Sequence, residues 1–325
     1  MERVNKYRVK VTILGGAGGM GSWFACFFKD NGADVWIVDK SDNTETIAKE
    51  LGVQFVNTDI SNLETGAIKD DIVNTDILLL SVPIDLTGRV IERLGSVMRK
   101  GSLLMDITSV KKVPVELMSR YTDEGVEVLG THPLYGPSAK SMRGQTVIFV
   151  PLRKGPLYER VYGLFERNGA KIVILTAEEH DEIMAVIQGL THFILIAFGV
   201  TLKELEFDVE RSRRFMSPMY EIITDFIGRI LHQDPQLYAH IQTNFAMGEV
   251  HATFLACAKR LQELVAAGDV DAFLAEMMEA KKHFGDTERA MYDSDGVIEA
   301  KLKDSWEMKK NVHPRKAYGR SKEAL

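Results

Sequence analysis

His132 ends an apolar run, Val126–Gly130 plus Thr131, and is followed at once by Pro133-Leu134-Tyr135-Gly136-Pro137. An imidazole at a strand end, with proline and glycine fixing the loop behind it, is held rigidly. Histidine is also the side chain whose ordinary pKa suits proton transfer near neutral pH. A second constellation lies at the start of the chain. Val9–Leu14 leads into Gly16-x-Gly18-x-x-Gly21, and Asp39 follows 18 residues after the last glycine. The glycines permit a sharp turn and close approach to a pyrophosphate, and the helix behind them offers free N–H groups to the phosphates. Asp39 closes the run Val35–Val38, where a carboxylate accepts bonds from an adenosine ribose. That layout predicts NAD as cofactor, with Lys40 and Ser41 the neighbours that a 2′-phosphate would meet. Two further apolar runs end in polar turns, at Ser81-Val82-Pro83 and at Thr108-Ser109-Val110-Lys111. The chemistry these segments have in common is proton transfer beside a nicotinamide. For His132 the other reading is a loop histidine bonded to backbone.

These residues need a scaffold that brings strand ends together. Strands are predicted at Lys10–Leu14, Val35–Val38, Ile77–Val82, Ser102–Ile107, Val126–Gly130, Thr146–Val150 and Lys171–Leu175. Amphipathic segments such as Met20–Asn31, Thr87–Met98 and Leu157–Asn168 separate several of them. Alternation of this kind implies an α/β fold, a Rossmann-type doubly wound, mostly parallel sheet, with ligands beyond the C-terminal strand ends. The pattern changes at Thr176. Thr176-Ala-Glu-Glu179 reads as a capping box, and a long helix follows to about Lys203. From there to about Asp293 the periodicity is helical. The expected domains are therefore 1–176 for the nucleotide, 177–293 as an all-α substrate and dimerisation domain, and 294–325 as a basic tail.

The helical part adds candidates. Gln188 and His192 are spaced i, i+4 and are expected on one face. His180 lies in the first turn of the same helix. His192 reads equally as a core histidine. Arg229 sits in the apolar run Phe226–Leu231, where a guanidinium needs an anion, either a substrate carboxylate or Asp225. The run Phe193–Val200 is apolar nearly all round, which suggests cover from a second copy, hence a homodimer.

Composition narrows the class. At 325 residues, 45% hydrophobic and 26% charged, the chain reads as a soluble two-domain protein. A net charge of -6 argues against nucleic-acid partners. Cys26 and Cys257 are expected to be buried thiols rather than a disulfide. No signal peptide or metal-ligand cluster is visible, and the run Phe193–Val200 is too short to span a bilayer, so a cytoplasmic protein without metal or membrane is expected. From Lys301 onward eight Lys/Arg face three Asp/Glu. That is the composition of a solvated tail, or of one that docks on an acidic surface.

The segments GGAGGMG, DITSVKK, THPLYGPS, AEEHDEIMAVIQGLTHF and SPMYEIITDFIGRILHQDPQLYAHI together resemble the prephenate dehydrogenase family over about residues 8–290. The likeness is to the dehydrogenase half of the bifunctional chorismate mutase/prephenate dehydrogenases, without the helical mutase region or an obvious ACT-type domain. The resemblance implies NAD-dependent oxidative decarboxylation of prephenate to 4-hydroxyphenylpyruvate, in tyrosine biosynthesis. It implies that His132 assists deprotonation of the ring hydroxyl, that Ser109 bonds near that hydroxyl and the nicotinamide, and that Arg229 grips a carboxylate. Lys111, His192 and Tyr238 fall at positions tied to the substrate pocket, and His180 at a structural one. Arogenate and 4-amino-4-deoxyprephenate are alternative substrates. A β-hydroxyacid dehydrogenase would be expected to use a lysine of its helical domain, which the Gln188/His192 pair fits poorly. An NAD-sensing module without turnover is the alternative outside enzymes.

Overall fold

The computed structural model describes residues 8–60, 74–244 and 247–312. The apolar runs of the first half form one eight-stranded sheet, in the order β3-β2-β1-β4-β5-β6-β7-β8. Its strands are β1 (Lys10–Leu14), β2 (Asp34–Asp39), β3 (Gln54–Asn57), β4 (Ile77–Leu80), β5 (Leu103–Asp106), β6 (Glu127–Pro133), β7 (Thr146–Arg153) and β8 (Lys171–Ile174). All neighbours pair in parallel except β6 with β7. β4 and β5 are buried at every position, as expected of strands covered on both faces. The helices between them are α1 (Gly19–Asp30), α2 (Thr44–Leu51), α3 (Ile84–Leu94), α4 (Lys112–Tyr121) and α5 (Pro156–Arg167). The core runs from Val11, Ile13 and Ile37 through Phe24 and Phe28 of α1 to Phe149 and Phe165.

The strand order reverses between β1 and β4. That is the switch point at which an open α/β sheet leaves a crevice at its C-terminal edge. The glycine loop follows β1, Ser81 follows β4, Ser109 lies three residues past β5, and His132 is the next-to-last residue of β6. All four therefore share one edge of the sheet. β6 is longer than the sequence predicts because β7 runs antiparallel to it and pairs His132 with Ile148. The short elements β3 and α2 were not expected; β3 is an edge strand with no fully buried position, so its apolar signal is weak.

Thr176 and Glu179 form the expected capping box at the start of α6 (Ala177–Met184). The helix continues, but not as a regular α-helix. Ala185–Leu190 is a π turn, after which α7 (Thr191–Glu204) resumes. The chain divides into two compact units, 1–189 with 235–247 and 190–234 with 248–325. The division falls later than 176, because α6 stays with the sheet unit. So does α10 (Pro235–Asn244), whose Gln242 Nε2 donates to the Gly189 carbonyl at 2.9 Å.

The second unit is helical throughout its described residues: α7, α8 (Val209–Ser212), α9 (Pro218–His232), α11 (Met247–Ala267, from its second residue), α12 (Val270–Phe284) and α13 (Thr287–Val312). α13 runs unbroken through position 294, so the first part of the expected basic tail is helix. Lys301 on it docks between Glu221 and Asp225 of α9. Residues 313–325 of that tail lie outside the described residues. The cysteine expectation needs correcting at one site: Cys26 is exposed on α1, its thiol beside Asp30, while Cys257 is half-buried and both are free.

Candidate active site

The glycine loop can be tested residue by residue. Gly15 has φ +79°, and a Cβ there would lie 2.3 Å from the Ser81 carbonyl oxygen. At Gly16 it would lie 2.4 Å from Ile37 Cβ, and at Gly21 2.1 Å from the Gly15 carbonyl oxygen. The fold itself demands glycine at these three. Gly18 differs: a Cβ there meets only the Gly15 oxygen, at 3.3 Å. The protein presses far less on Gly18, which is the expected signature of a face kept open for a ligand's close approach. Gly18 is the N-cap of α1, which has no side-chain cap and no acid in its first turn. Its amide end suits a diphosphate.

Asp39 closes β2 and is pinned by two amides. Its Oδ2 accepts from Ala17 and its Oδ1 from Ser41, each at 3.0 Å. A carboxylate has about four acceptor positions, so two are left for ribose hydroxyls. Asp39 and Gly15 line a recess completed by Ile60, Val82, Pro83 and two arginines, Arg89 and Arg93. The arginines went unnoticed in the sequence, although their i, i+4 spacing on α3 behind Ser81-Val82-Pro83 was a readable signal. The residues fit the nucleotide: an open amide end for phosphate, a fixed acid for ribose, apolar walls for adenine. NAD is the cofactor this site takes. We expect kcat/KM for NAD+ to exceed that for NADP+ by at least about tenfold, since Asp39 repels a 2′-phosphate. Steady-state rates with both cofactors check this, and equal use would mean that Lys40, Arg89 and Arg93 outweigh Asp39.

His132 is 3% exposed. Its Nδ1 lies 2.8 Å from Nε2 of His180, which is fully buried. The Nδ1 of His180 lies 2.7 Å from Asp181 Oδ1. Asp181 also accepts the amides of Lys111, at 2.8 Å, and Lys112, at 3.0 Å, and so fastens the start of α4 to α6. Burial pushes the His180 pKa below its ordinary range, against the pull of Asp181. Burial alone would raise Asp181, but the bonds from His180 and the two amides hold it below the usual carboxylate range. The loop behind His132 is anchored to the nucleotide helix. Pro137 stands against Gly19, and the Trp23 indole donates to the Ala139 carbonyl at 2.7 Å.

Lys111 is not placed for a substrate. Its side chain is 0% exposed and its ammonium is bonded to Asp106 and, at 3.1 Å, to Thr108. Burial lowers its pKa, against the pull of Asp106. An ion pair sealed in the core shapes the 106–111 turn, so the pocket position expected for Lys111 is corrected to a structural one. Ser109, on the same turn, is half-exposed at the sheet edge.

In the remaining segments the structure changes the sequence picture. Gln188 lies inside the π turn, so Gln188 and His192 are not related by the α-helical i, i+4 geometry. His192 is half-buried at the start of α7, and burial lowers its pKa. Tyr238 is buried on α10 in the sheet unit. Arg229 is on the exposed side of α9, which buries only Ile227 and Ile230. The neighbouring Phe226 and Leu231 are 53% and 59% exposed, so the apolar run does not enclose the guanidinium. Asp225, the internal partner considered for it, is bonded to Lys301.

Comparison with known proteins places the two domains in one family. The family model "Prephenate dehydrogenase, nucleotide-binding domain" matches residues 24–174, and "Prephenate dehydrogenase, dimerization domain" matches 176–279. A probable arogenate/prephenate dehydrogenase of Methanocaldococcus jannaschii is 41% identical over 294 residues, covering 89% of this chain and 64% of its own length. The chain thus spans less than two thirds of that relative. A T-protein of Enterobacter agglomerans is 31% identical, covering 85% of this chain and 68% of itself. The crystal structure of prephenate dehydrogenase from A. aeolicus, in complex with hydroxyphenyl propionate and NAD+, shares the fold. It superposes with a TM-score of 0.67 at 20% identity, covering 86% of this chain and 98% of that one. With its motifs, its sheet and both of its domains accounted for, the chain belongs to the prephenate dehydrogenase family.

Proposed function

We propose that the chain is an NAD-dependent prephenate dehydrogenase that oxidatively decarboxylates prephenate to 4-hydroxyphenylpyruvate. The observation that carries this is His132, buried near the carboxyl end of β6 just ahead of a loop anchored to α1. NAD, when bound, supplies the hydride acceptor. His132 takes the proton of the ring hydroxyl as the carbinol carbon loses hydride, and Ser109 bonds near the same oxygen. The ring carboxylate leaves as CO2 and the ring becomes aromatic. Aromatisation drives the reaction, so positioning is the larger part of the protein's task. The family resemblance gives Arg229 a carboxylate of the substrate, and His192 and Tyr238 roles in substrate binding. Release of NADH and CO2 from prephenate, against arogenate in a parallel assay, tests the assignment. Turnover of arogenate alone would move it to the second reading, a substrate that the name of the Methanocaldococcus relative gives beside prephenate; no NADH from either compound would remove both.

The functional form is a homodimer built on the helical unit. The helix Ala177–Glu204 has a mean hydropathy of 2.0 over its most apolar 18 residues, yet only 17% of that window is buried. It is longer than the run Phe193–Val200 read in the sequence, and by length and composition alone it could cross a membrane. Ile194, Phe198 and Val200 on α7, Leu255 on α11 and Leu274 and Met277 on α12 are exposed as well. Exposed apolar surface of this extent marks an interface, and the family model covering this unit is named for dimerisation. Light scattering at micromolar concentration should give twice 36.4 kDa. A monomer, or protein that partitions into lipid vesicles, would contradict this.

A further inference from the structure

We propose that His180 and Asp181 are positioning residues that fix the tautomer of His132, leaving its Nε2 bare to accept a proton. The proposal rests on the reading of His132 given above, and neither residue was credited with more than a structural role in the sequence.

Three hydrogen-bonded side chains fix the tautomer in turn. Asp181 accepts from the Lys111 amide and His180 Nδ1 through Oδ1, and from the Lys112 amide through Oδ2. Those donors keep it ionised, and an ionised carboxylate accepts only. His180 Nδ1 must therefore carry the proton. The ring of His180 is fully buried, and the charges facing it are Asp181, Asp106 and Lys111. Desolvation keeps it neutral. A neutral imidazole protonated on Nδ1 has a bare Nε2, which can only accept. The atom 2.8 Å from that Nε2 is Nδ1 of His132, so His132 Nδ1 must donate. In neutral His132 the proton is then on Nδ1 and the lone pair on Nε2. Had His180 been absent, either tautomer of His132 would be available, and one of them presents N–H, not a lone pair, to a substrate hydroxyl.

The same carboxylate does a second job. By holding the amides of Lys111 and Lys112 it fixes the turn that carries Ser109. One carboxylate on α6 thus sets the ring state of His132 and the position of Ser109. In a related carboxylate–imidazole pair, loss of tautomer control with geometry intact costs roughly 10⁴ in kcat.

Nitrogen-15 spectra of the imidazole rings of the full-length wild-type protein test the tautomer without reference to activity, with His132 assigned by its disappearance in His132→Asn. We expect a protonated Nδ1 and a bare Nε2 on His132 at neutral pH; the opposite tautomer overturns the proposal. Two variants then test the consequence. His180→Gln places an amide near the old Nε2, where its oxygen accepts from His132. His180→Asn places one near the old Nδ1, where it reaches Asp181 only. We expect His180→Gln to keep kcat within about tenfold of wild type and His180→Asn to lose about 10²–10³-fold, with KM for NAD+ unchanged in both. Equal loss in the two with matching falls in melting temperature would make His180 a core histidine only, and equal retention or the reverse order would equally overturn the proposal. If neither variant folds, the wild-type spectrum decides. Full activity in His132→Asn would instead remove His132 from the reaction, an outcome that leaves the measured tautomer standing on its own.

Discussion

Replacing His132 with asparagine is expected to lower kcat by about 10²–10⁴-fold, the range in which a positioned general base contributes. The KM for NAD+ should stay near wild type, because the glycine loop, α1 and Asp39 hold the nucleotide through other atoms. Asparagine retains a polar group near the site of Nδ1, so the bond to His180 has a substitute and the fold should survive. The acid limb of the wild-type rate profile should follow protonation of the base, and that limb should vanish from whatever activity the variant keeps. Steady-state rates over pH 5–9 for the two proteins check both statements. A variant with most of its kcat intact would show that orientation of substrate and cofactor is sufficient without the imidazole.

How much of this site can be read in sequence depends on whether the signal is local. The glycine loop was legible because steric demands at Gly16 and Gly21 and an acid at the end of the next strand are properties of one βαβ unit. The capping box at Thr176 and Glu179 was legible for the same reason. Partners distant in sequence were not. Lys111 follows Asp106 by five residues, but nothing in that spacing says that the pair is sealed off from solvent while the Lys111 amide is held by Asp181, 70 residues away. His180 looked like an ordinary first-turn histidine, since its neighbour His132 is 48 residues distant. The π turn at Ala185–Leu190 escaped too. Its residues are ordinary helix formers apart from Gly189, and a Cβ there would meet the sulfur of Met247 at 2.5 Å. Wide turns of this kind recur at functional sites, and this one stands between Asp181 and His192.

Arg229→Gln is expected to raise the KM for prephenate by roughly 10–10²-fold, because a hydrogen bond to a charged group is worth about 1.5–3 kcal/mol and each 1.4 kcal/mol is a factor of ten. The change in kcat should be smaller than for His132→Asn, since a carboxylate grip persists from ground state to transition state. Arg229→Lys should recover only part of the loss, because an ammonium cannot make the planar two-point contact. The structure sharpens the competing explanation. An arginine four residues after Asp225 would ordinarily pair with it along the helix, but Asp225 and Glu221 are engaged by Lys301 from α13. Lys301 still bridges α9 and α13 without the guanidinium, and because Arg229 is exposed the melting temperature should move little. Lys301→Gln is the control: it should lower the melting temperature by loosening α13 from α9, with a smaller effect on KM. Measuring KM and melting temperature on both variants separates the two roles. A fall in melting temperature for Arg229→Gln with KM unchanged would make the arginine part of the helical scaffold, and the carboxylate of the substrate would then need another cation.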